Sequence, residues 1–232
     1  TEVSERVEAG SVVLRDFNAE DDHALREILL EQGFTPLPML DGFVVPTGWP
    51  DLETYMAERL SGRYRSLLRR QVLKQRPLYD VATTEEPLSE ELLHRCYHLY
   101  SAVREGNVEL NTFPLPYELF QAFHHDPRWE FLLLYMKNEG PHLPSGERAP
   151  VAVSVNYRGP KAYEILLIGL DYDYVYEHGC YKQVLFQSVQ RANDLGLERA
   201  NLGFTSALPK RIVGAQRVPT FAYVQLEDHY SQ

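Results

Sequence analysis

The sequence has few cysteines, no long apolar run and no excess of positive charge. Its two cysteines, Cys96 and Cys180, have neither the number nor the spacing of a disulfide framework or a zinc site. We therefore expect a reducing, cytoplasmic setting and no bound metal. No apolar run approaches the ~20 residues that a membrane-spanning helix needs. The 232 residues include 23 basic and 33 acidic side chains, and the net charge of −10 disfavours general attraction to nucleic acid or anionic membranes.

The sequence also lacks an initial methionine and a signal peptide. It begins Thr-Glu-Val-Ser-Glu, without a basic segment followed by an apolar one. We expect a processed or excised part of a longer chain, and assembly into a homo-oligomer stays open. Apolar residues make up 44% of the chain, as in soluble globular proteins, and the length suffices for one large core or two small ones.

Basic residues cluster locally despite the acidic total. Residues 59–76 contain seven lysines and arginines within eighteen positions, on a segment whose apolar spacing predicts a helix. Two interpretations stay open. The cluster is either a solvated helix surface, or a surface that faces the phosphates of a cofactor or of an RNA backbone.

The pattern at residues 163–204 predicts a strand, a glycine-containing loop, a helix and a second strand. The helix runs from about 181 to 195 with its apolar residues on one stripe, and Gly196 ends it. Its first turn follows Gly179 and offers free N–H groups at the positive end of the helix dipole, which suit a phosphate. Alternatively, Gly179 only allows the chain to turn.

The rest of the chain predicts an α/β fold. From residue 78 onward the order is strand, helix, helix, three strands, helix and two strands. Adjacent strands before a single crossover helix favour a mixed sheet with helices packed on it over a doubly wound parallel sheet. The elements predicted before residue 78 are a strand at 11–17, a helix at 19–32, a hairpin that turns at Asp41-Gly42, and a helix at 51–75 that Gly62 interrupts.

Several short motifs occur in an order that resembles one protein family. They are Leu52, Tyr55, Leu60 and Tyr64-Arg65 ahead of the basic segment, Ala192 and Gly196 at the end of the helix, Asn201-Leu202-Gly203 in the next strand, and Lys210 followed by Gly214-Ala215. Over residues 33–226 this order resembles the GNAT (Gcn5-related N-acetyltransferase) superfamily, and more closely its FemAB-like and peptidoglycan-recognition-like branch. The resemblance implies a GNAT-like mixed, mostly antiparallel sheet with a splayed strand pair and flanking helices.

The resemblance also implies an acyltransferase. The first hypothesis is that the enzyme moves an acyl group from acetyl-CoA or another acyl-CoA to an amine of a small molecule or amino acid. The exposed strand backbone before the loop would line the pantetheine arm, and the start of the following helix would meet the pyrophosphate. The residues concerned are Ile168, Gly169 and Leu170 for the arm, and Gly179, Cys180, Tyr181 and Lys182 for the pyrophosphate.

The loop before this helix departs from the family pattern. Tyr176 stands where the family usually has Gln or Arg, and Tyr181 stands where it has a small residue. Two further hypotheses follow. One is an aminoacyl-tRNA-dependent, FemAB-like transferase that binds tRNA through the basic helix 59–76. The other is a catalytically silent GNAT-like binding domain of a larger enzyme.

Acyl transfer to an amine needs a base for the ammonium proton and an acid for the leaving thiolate. The candidate bases near the splayed strands are Glu164, Asp171, Asp173 and His178, and the candidate acids are Tyr174, Tyr181 and Tyr223. Alternatively, the carboxylates cap a strand end and the tyrosine packs in the core. Cys180 is either a nucleophile activated by the helix N-terminus or a small buried residue.

The sequence suggests two segments. Residues 51–232 form the GNAT-like acyltransferase domain. Residues 1–50 form an N-terminal βα segment that either belongs to the same sheet or is a partial GNAT repeat. The repeat interpretation depends on a faint similarity between residues 19–34 and 181–204, each with a helix, glycine and phenylalanine in this order.

Overall fold

The structure is a computed structural model that describes residues 10–18, 23–84, 87–106 and 113–226. These residues form two compact units. The larger spans Phe43–Gln216, and the smaller combines the N-terminal residues up to Gly42 with the C-terminal residues from Arg217 onward. The sequence-based boundary at residue 50 differs from these boundaries, and the repeat interpretation of residues 1–50 stays a prediction.

The smaller unit is an antiparallel sheet with a helix packed on it. Its elements are β1 (Ser11–Asn18), α1 (His23–Glu31), β2 (Thr35–Pro38) and β10 (Thr220–Leu226). The strand order is β1-β10-β2. Leu29, Phe34 and Tyr223 form the core of this unit. The predicted start of the first helix, residues 19–22, lies outside the described residues.

The larger unit contains a mixed sheet. Its elements are β3 (Gly42–Pro46), α2 (Leu52–Arg59), α3 (Gly62–Leu68), a π-helical turn (Arg69–Leu73), β4 (Tyr79–Thr83), α4 (Glu90–Gly106), α5 (Tyr117–His125), β5 (Trp129–Met136), β6 (Ala152–Arg158), β7 (Ala162–Leu170), α6 (Cys180–Asp194), β8 (Arg199–Asn201) and α7 (Ala207–Ile212). A short strand β9 (Gln216–Val218) falls at the boundary between the units. In the order β4-β5-β6-β7-β8-β3, only β7 and β8 are parallel. The predicted mixed, mostly antiparallel sheet is confirmed.

The predicted hairpin at Asp41-Gly42 is wrong. Strand β2 pairs with β10, whereas β3 pairs with β8. The Met39 N–H donates to the Thr220 carbonyl at 2.9 Å, and the Thr220 hydroxyl donates to the Leu40 carbonyl at 2.7 Å. The chain before Gly42 is thereby bound to the C-terminal strand, a long-range pairing that the local turn residues do not encode.

Two capped helices replace the single helix predicted at residues 51–75. The Asp51 carboxylate accepts a hydrogen bond from the Thr54 N–H at 2.7 Å and starts α2. Ser61 caps α3 in the same way, so the predicted interruption at Gly62 is confirmed. The π-helical turn that follows α3 is a feature often found at functional sites.

Helix α6 is buried along most of its length. Residues 183–189 are all buried, because the sheet covers one side of the helix and α2 and α3 cover another. Leu185 and Phe186 share a core with Tyr55 and Leu68. Helices α4 and α5 pack on the side chains that β5 and β6 direct to the opposite face of the sheet.

Helix α4 crosses β7 at Gly169, so closely that a side chain has no space there. A Cβ at this position would lie 2.5 Å from the Tyr100 backbone nitrogen and 2.7 Å from the carbonyl carbon of Leu99. We expect Gly169→Ala to lower the free energy of unfolding by about 2–3 kcal/mol, because strand and helix must separate. Urea denaturation measures this loss. Gly62→Ala is the control, since its Cβ would lie 3.9 Å from the nearest atom, and an equal loss in both variants would contradict the packing explanation.

Candidate functional site

Strands β7 and β8 pair over a short distance and then separate. Residues 162–164 pair in parallel with residues 199–201, whereas β7 continues to Leu170. No other strand of the described residues pairs with this edge of β7 beyond Glu164. The predicted splayed strand pair is therefore confirmed. The gap between residues 165–170 and the chain that follows β8, termed the splay below, is the candidate site.

A β-bulge lies where the splay opens. Val155 of β6 is opposite Leu167, whereas the next residue, Asn156, is opposite Ile165. Leu166 is therefore an extra residue on β7, and its side chain is 54% exposed. Bulges bend a strand and increase its twist, and this bulge coincides with the separation of β7 from β8.

The backbone of β7 presents hydrogen-bonding groups to the splay. In an antiparallel pair, alternate residues bond to the partner strand and the others point away. The Asp171 N–H donates to the Val151 carbonyl of the β6 side at 2.8 Å, so by alternation Gly169 and Leu167 also face β6. The N–H and C=O groups of Ile168 and Leu170 consequently point into the splay. This matches the location predicted for a pantetheine arm, which itself stays a prediction.

Glu164 lies at the apex of the splay. Its carboxylate accepts hydrogen bonds from the amide nitrogen of Asn201 at 2.7 and 2.8 Å, across the last paired residues of the two strands. The other amide atom, Asn201 Oδ1, is buried without a hydrogen-bond partner among the described residues. An unpaired buried acceptor costs about 1–3 kcal/mol. A donor group on a bound molecule would satisfy it.

The turn after β8 has an unusual backbone. Gly203, Thr205 and Ser206 have left-handed φ angles of 66°, 57° and 47°. Non-glycine residues adopt such angles at a cost, and they cluster at functional sites. The Ser206 side chain hydrogen-bonds with Tyr181 in the first turn of α6. The turn is thus tied to the helix that follows β7.

The amine of Lys210 is buried beside this turn. The residue is 3% exposed, its Nζ donates to the carbonyl oxygen of Phe204, and Nζ lies 5.3 Å from the centre of the Phe43 ring. Burial lowers the pKa of this amine to about 7, because the charged form loses its hydration and pairs with no carboxylate of the described residues. An amine that gains and loses a proton near neutral pH suits general acid–base catalysis.

The start of α6 is in contact with the segment after the π-helical turn. Gly179 has a φ of 66°, and a Cβ there would lie 2.8 Å from Gln75 Oε1. Gln75 Nε2 donates to the Glu177 carbonyl at 3.3 Å, and the Tyr79 hydroxyl donates to the His178 carbonyl at 2.8 Å. These bonds hold the loop against the neighbouring chain. A phosphate at this helix would share its space with the Gln75 side chain.

The next residues of α6 differ in accessibility. Cys180 is fully buried, and burial raises the pKa of its thiol to about 12, which does not support a thiolate nucleophile at neutral pH. Tyr181 and Lys182 are partly exposed. The assignment of Gly179, Cys180, Tyr181 and Lys182 to a pyrophosphate stays a prediction.

The structure does not gather the predicted catalytic residues at one point. Asp171 follows Glu164 by seven residues on an extended chain, a distance of about 23 Å. Its carboxylate accepts a hydrogen bond from Arg95 Nη2 at 2.7 Å. His178 is in the loop before α6, and Tyr223 is fully buried in the smaller unit. Of these four, Glu164 is the residue at the apex.

The basic side chains of residues 59–76 are mostly exposed. One of them, Arg69, forms an ion pair with Glu53 at 3.2 Å. The exposed members are Arg59, Arg63, Arg69, Arg70, Lys74 and Arg76. Both interpretations of the cluster, a solvated face and an anion-facing surface, fit this exposure.

Neither a membrane-spanning helix nor a metal site is found in the described ranges. No helix there combines the length and hydropathy that crossing a bilayer requires. No group of three or more His, Cys, Asp or Glu side chains in those ranges is placed to hold a metal ion. His94, which has helical i, i+4 spacing to His98, instead stacks on Tyr117 with ring centres 4.1 Å apart.

A mixed sheet with one parallel pair that splays beyond a bulge, joined by a crossover helix, is the arrangement of the GNAT fold. L-PGS from Bacillus licheniformis is similar over 99% of this chain and 72% of its own, at 13% identity and a TM-score of 0.61. FemX is similar over 97% of this chain and 74% of its own, at 13% identity and a TM-score of 0.60. No protein-family model and no curated protein matches the sequence. Likeness at this identity establishes the fold alone.

Sequence reasoning missed the functional potential of Lys210. The sequence places it only in a motif with Gly214-Ala215. The structure explains Gly214, because a Cβ there would overlap the Tyr55 hydroxyl, which donates to the Val213 carbonyl.

Proposed function

We propose that this chain is an N-acyltransferase that moves an acyl group from acyl-CoA to the amine of a small molecule or amino acid. The observation that carries the proposal is the free backbone edge of β7 in the splay. The amide groups of a pantetheine arm can pair with such an edge as an added strand does. The arm would contact Ile168 and Leu170, with its phosphates toward Lys182 and its thioester toward the apex at Glu164.

The reaction assigns a task to each group around the splay. The acceptor nitrogen attacks the thioester carbonyl carbon, the N–C bond forms, the C–S bond breaks, and the sulfur leaves as a thiolate. Lys210, neutral in part at pH 7, takes one proton from the acceptor ammonium and releases it to solvent, so that the free amine attacks. The second proton, which the nitrogen loses after the N–C bond forms, passes through Lys210 to the leaving thiolate. Glu164, held by Asn201, attracts the cationic acceptor to the apex.

The overall charge supports a cationic acceptor of small size. A chain with a net charge of −10 attracts cations and repels polyanions at long range. A small amine, positively charged in solution, is therefore drawn toward the protein. A polyanionic acceptor is disfavoured on the same ground.

Calorimetric titration with CoA and acetyl-CoA tests the proposal. We expect both to bind, and we expect Ile168→Pro to weaken binding about tenfold, because proline removes one N–H donor that points into the splay. Ile168→Ala is the matched control, since it shortens the same side chain and keeps the N–H. We expect its affinity to stay within about threefold of the parent's.

Other outcomes would count against the acyl-CoA donor or against its contact with the backbone of β7. Absence of binding to the parent would remove the donor altogether, and an equal loss in the proline and alanine variants would place the effect in the side chain. Salt-sensitive tRNA binding without CoA binding would favour the aminoacyl-tRNA hypothesis and the basic segment 59–76. Absence of both CoA binding and tRNA binding would favour a catalytically silent domain.

A further inference from the structure

A cavity of about 460 Å³ lies at the end of the sheet where β5 begins and β6 ends. The chain after β4, the end of α5 with the following turn, and Arg191 of α6 complete its wall. Because β7 begins at this end of the sheet and the splay opens toward its other end, the cavity is separate from the splay. Its size is in the range of sites for small ligands. It is termed the Arg158 pocket.

The described wall of the pocket carries two carboxylates, of Asp126 and Glu130, and two guanidiniums, of Arg158 and Arg191. Glu130 is 1% exposed, and its carboxylate accepts hydrogen bonds from Arg191 at 2.7 and 3.0 Å. Asp126 is bound in the same way by Arg128, at 2.6 and 3.0 Å. Each of these carboxylates is thus hydrogen-bonded by an arginine other than Arg158, so Arg158 has no hydrogen-bonded carboxylate partner among the described residues.

Arg158 is placed to bind an anion. Its Nη1 lies 4.0 Å from Glu130 Oε2, which is beyond hydrogen-bonding distance, and its Nη2 donates to the carbonyl of Pro127. The backbone contact fixes the side chain, and 37% of the side chain remains exposed. A guanidinium held in this manner keeps N–H donors for a carboxylate or phosphate.

His124 supplies a neutral donor on the same wall. Its Nδ1 accepts a hydrogen bond from the Leu88 N–H at 3.1 Å, so the neutral ring carries its proton on Nε2. Burial and the neighbouring His125 lower the pKa of His124, which favours this neutral form. Trp129, stacked on Phe123 with ring centres 3.7 Å apart, gives the pocket an aromatic wall.

We propose that the Arg158 pocket binds a small molecule that carries an oxyanion group, a carboxylate or a phosphate, next to an apolar part. Arg158 pairs with the oxyanion, His124 donates a second hydrogen bond through Nε2, and Trp129 contacts the apolar part. The pocket is distinct from the proposed acyl-CoA site, so its occupancy does not depend on the acyl donor.

Titration of the full chain with phenyl phosphate and with benzoate tests the pocket, since both probes join an oxyanion to an aromatic ring. Calorimetry is expected to show one site with a Kd of about 1 mM or tighter for at least one probe. The probe that binds more tightly identifies the preferred oxyanion. The two tryptophans of the chain are Trp49 and Trp129, so in a Trp49→Phe background the fluorescence of Trp129 reports whether the probe occupies this pocket.

Arg158→Gln is expected to weaken the bound probe about tenfold or more. Arg148→Gln removes the same charge from an exposed ion pair with Asp80 and is expected to leave the affinity unchanged. If Arg158→Gln does not fold, Arg158→Lys takes its place. Its affinity for the probe is expected to be several-fold weaker than the parent's, since lysine keeps the positive charge but lacks the planar set of N–H donors of the guanidinium. Absence of saturable binding to the parent, unchanged affinity in the Arg158 variant, or equal losses in both arginine variants would overturn the proposal.

Discussion

Replacing Lys210 by methionine is expected to raise the free energy of unfolding at pH 7 by about 2 kcal/mol. The folded amine has a pKa of about 7, whereas a lysine in the unfolded chain has a pKa of about 10.4. Keeping this amine buried at pH 7 costs about 4 kcal/mol, and methionine of similar length avoids that cost. The carbonyl of Phe204, left without its donor, offsets about 1–3 kcal/mol of the gain.

The same amine makes the stability of the parent depend on pH. Between about pH 7 and pH 10 the unfolded chain holds a proton at this site that the folded chain has lost, so stability rises with pH. The cost of burying the Lys210 amine is fully present below about pH 7, and it disappears above the pKa of lysine in the unfolded chain. Between about pH 7.0 and 8.5, the loss of this cost raises the free energy of unfolding of the parent by about 1.5 kcal/mol. Cys96 and Cys180, whose thiol pKa is raised to about 12 by burial, act in the opposite direction from about pH 8.5 upward, where the thiols of the unfolded chain ionise.

Urea denaturation at pH 7.0 and 8.5 measures both effects. The parent is expected to gain stability between the two pH values, and Lys210→Met is expected to show little change. Lys137→Met, at a residue whose side chain is 47% exposed, is the control and is expected to retain the parent's pH dependence. A parent without this dependence would show that the Lys210 amine is hydrated in solution.

The Lys210 variant also tests the proposed chemistry. If the amine transfers the proton, Lys210→Met is expected to slow acyl transfer about 100-fold or more while CoA binding is retained. A stable variant that retains the parent's transfer rate would remove Lys210 from the reaction. It would leave the stability prediction intact, because burial of the amine does not depend on catalysis.

Local sequence signals predicted most elements of the larger unit. The strands at 129–136 and 162–170 and the helix at 180–194 follow from apolar periodicity, and the division at Gly62 follows from a glycine between two helix starts. The splay could be predicted only from the resemblance of several motifs to a family. The apolar periodicity of β7 and β8 does not indicate that these two parallel strands separate after residue 164.

The candidate groups depend on contacts between distant segments, which spacing along the chain does not reveal. Lys210 is buried because Phe43, far away in sequence, lies over its amine. Gly179 was predicted to face a phosphate, yet its immediate neighbour is Gln75 from another segment. Gly169 was predicted to line a cofactor, and the close crossing of α4 supplies a structural reason for this glycine. In each case the residue type was informative, while its partner came from tertiary packing.

Removing the Arg191 guanidinium is expected to lower the free energy of unfolding by about 3–5 kcal/mol in Arg191→Leu. The Glu130 carboxylate is buried, and besides Arg191 it accepts a hydrogen bond from the Tyr163 hydroxyl at 2.6 Å. One neutral donor does not compensate a buried negative charge. The nearby Arg158, 4.0 Å away, limits the loss without replacing the three direct hydrogen bonds from Arg191.

Two further variants separate the buried charge from other causes of this loss. The double variant Glu130→Leu/Arg191→Leu removes both charges and is expected to recover most of the stability, because apolar side chains replace a satisfied ion pair at little cost. Arg148→Leu breaks an exposed pair with Asp80 and is expected to cost less than about 1 kcal/mol. If the double variant is as unstable as Arg191→Leu, the guanidinium acts by packing.

Arg191 is in the last turn of α6, whereas Glu130 and Tyr163 are on β5 and β7. The buried pair therefore anchors to the sheet the same helix whose first turn is tied to the splay through Tyr181.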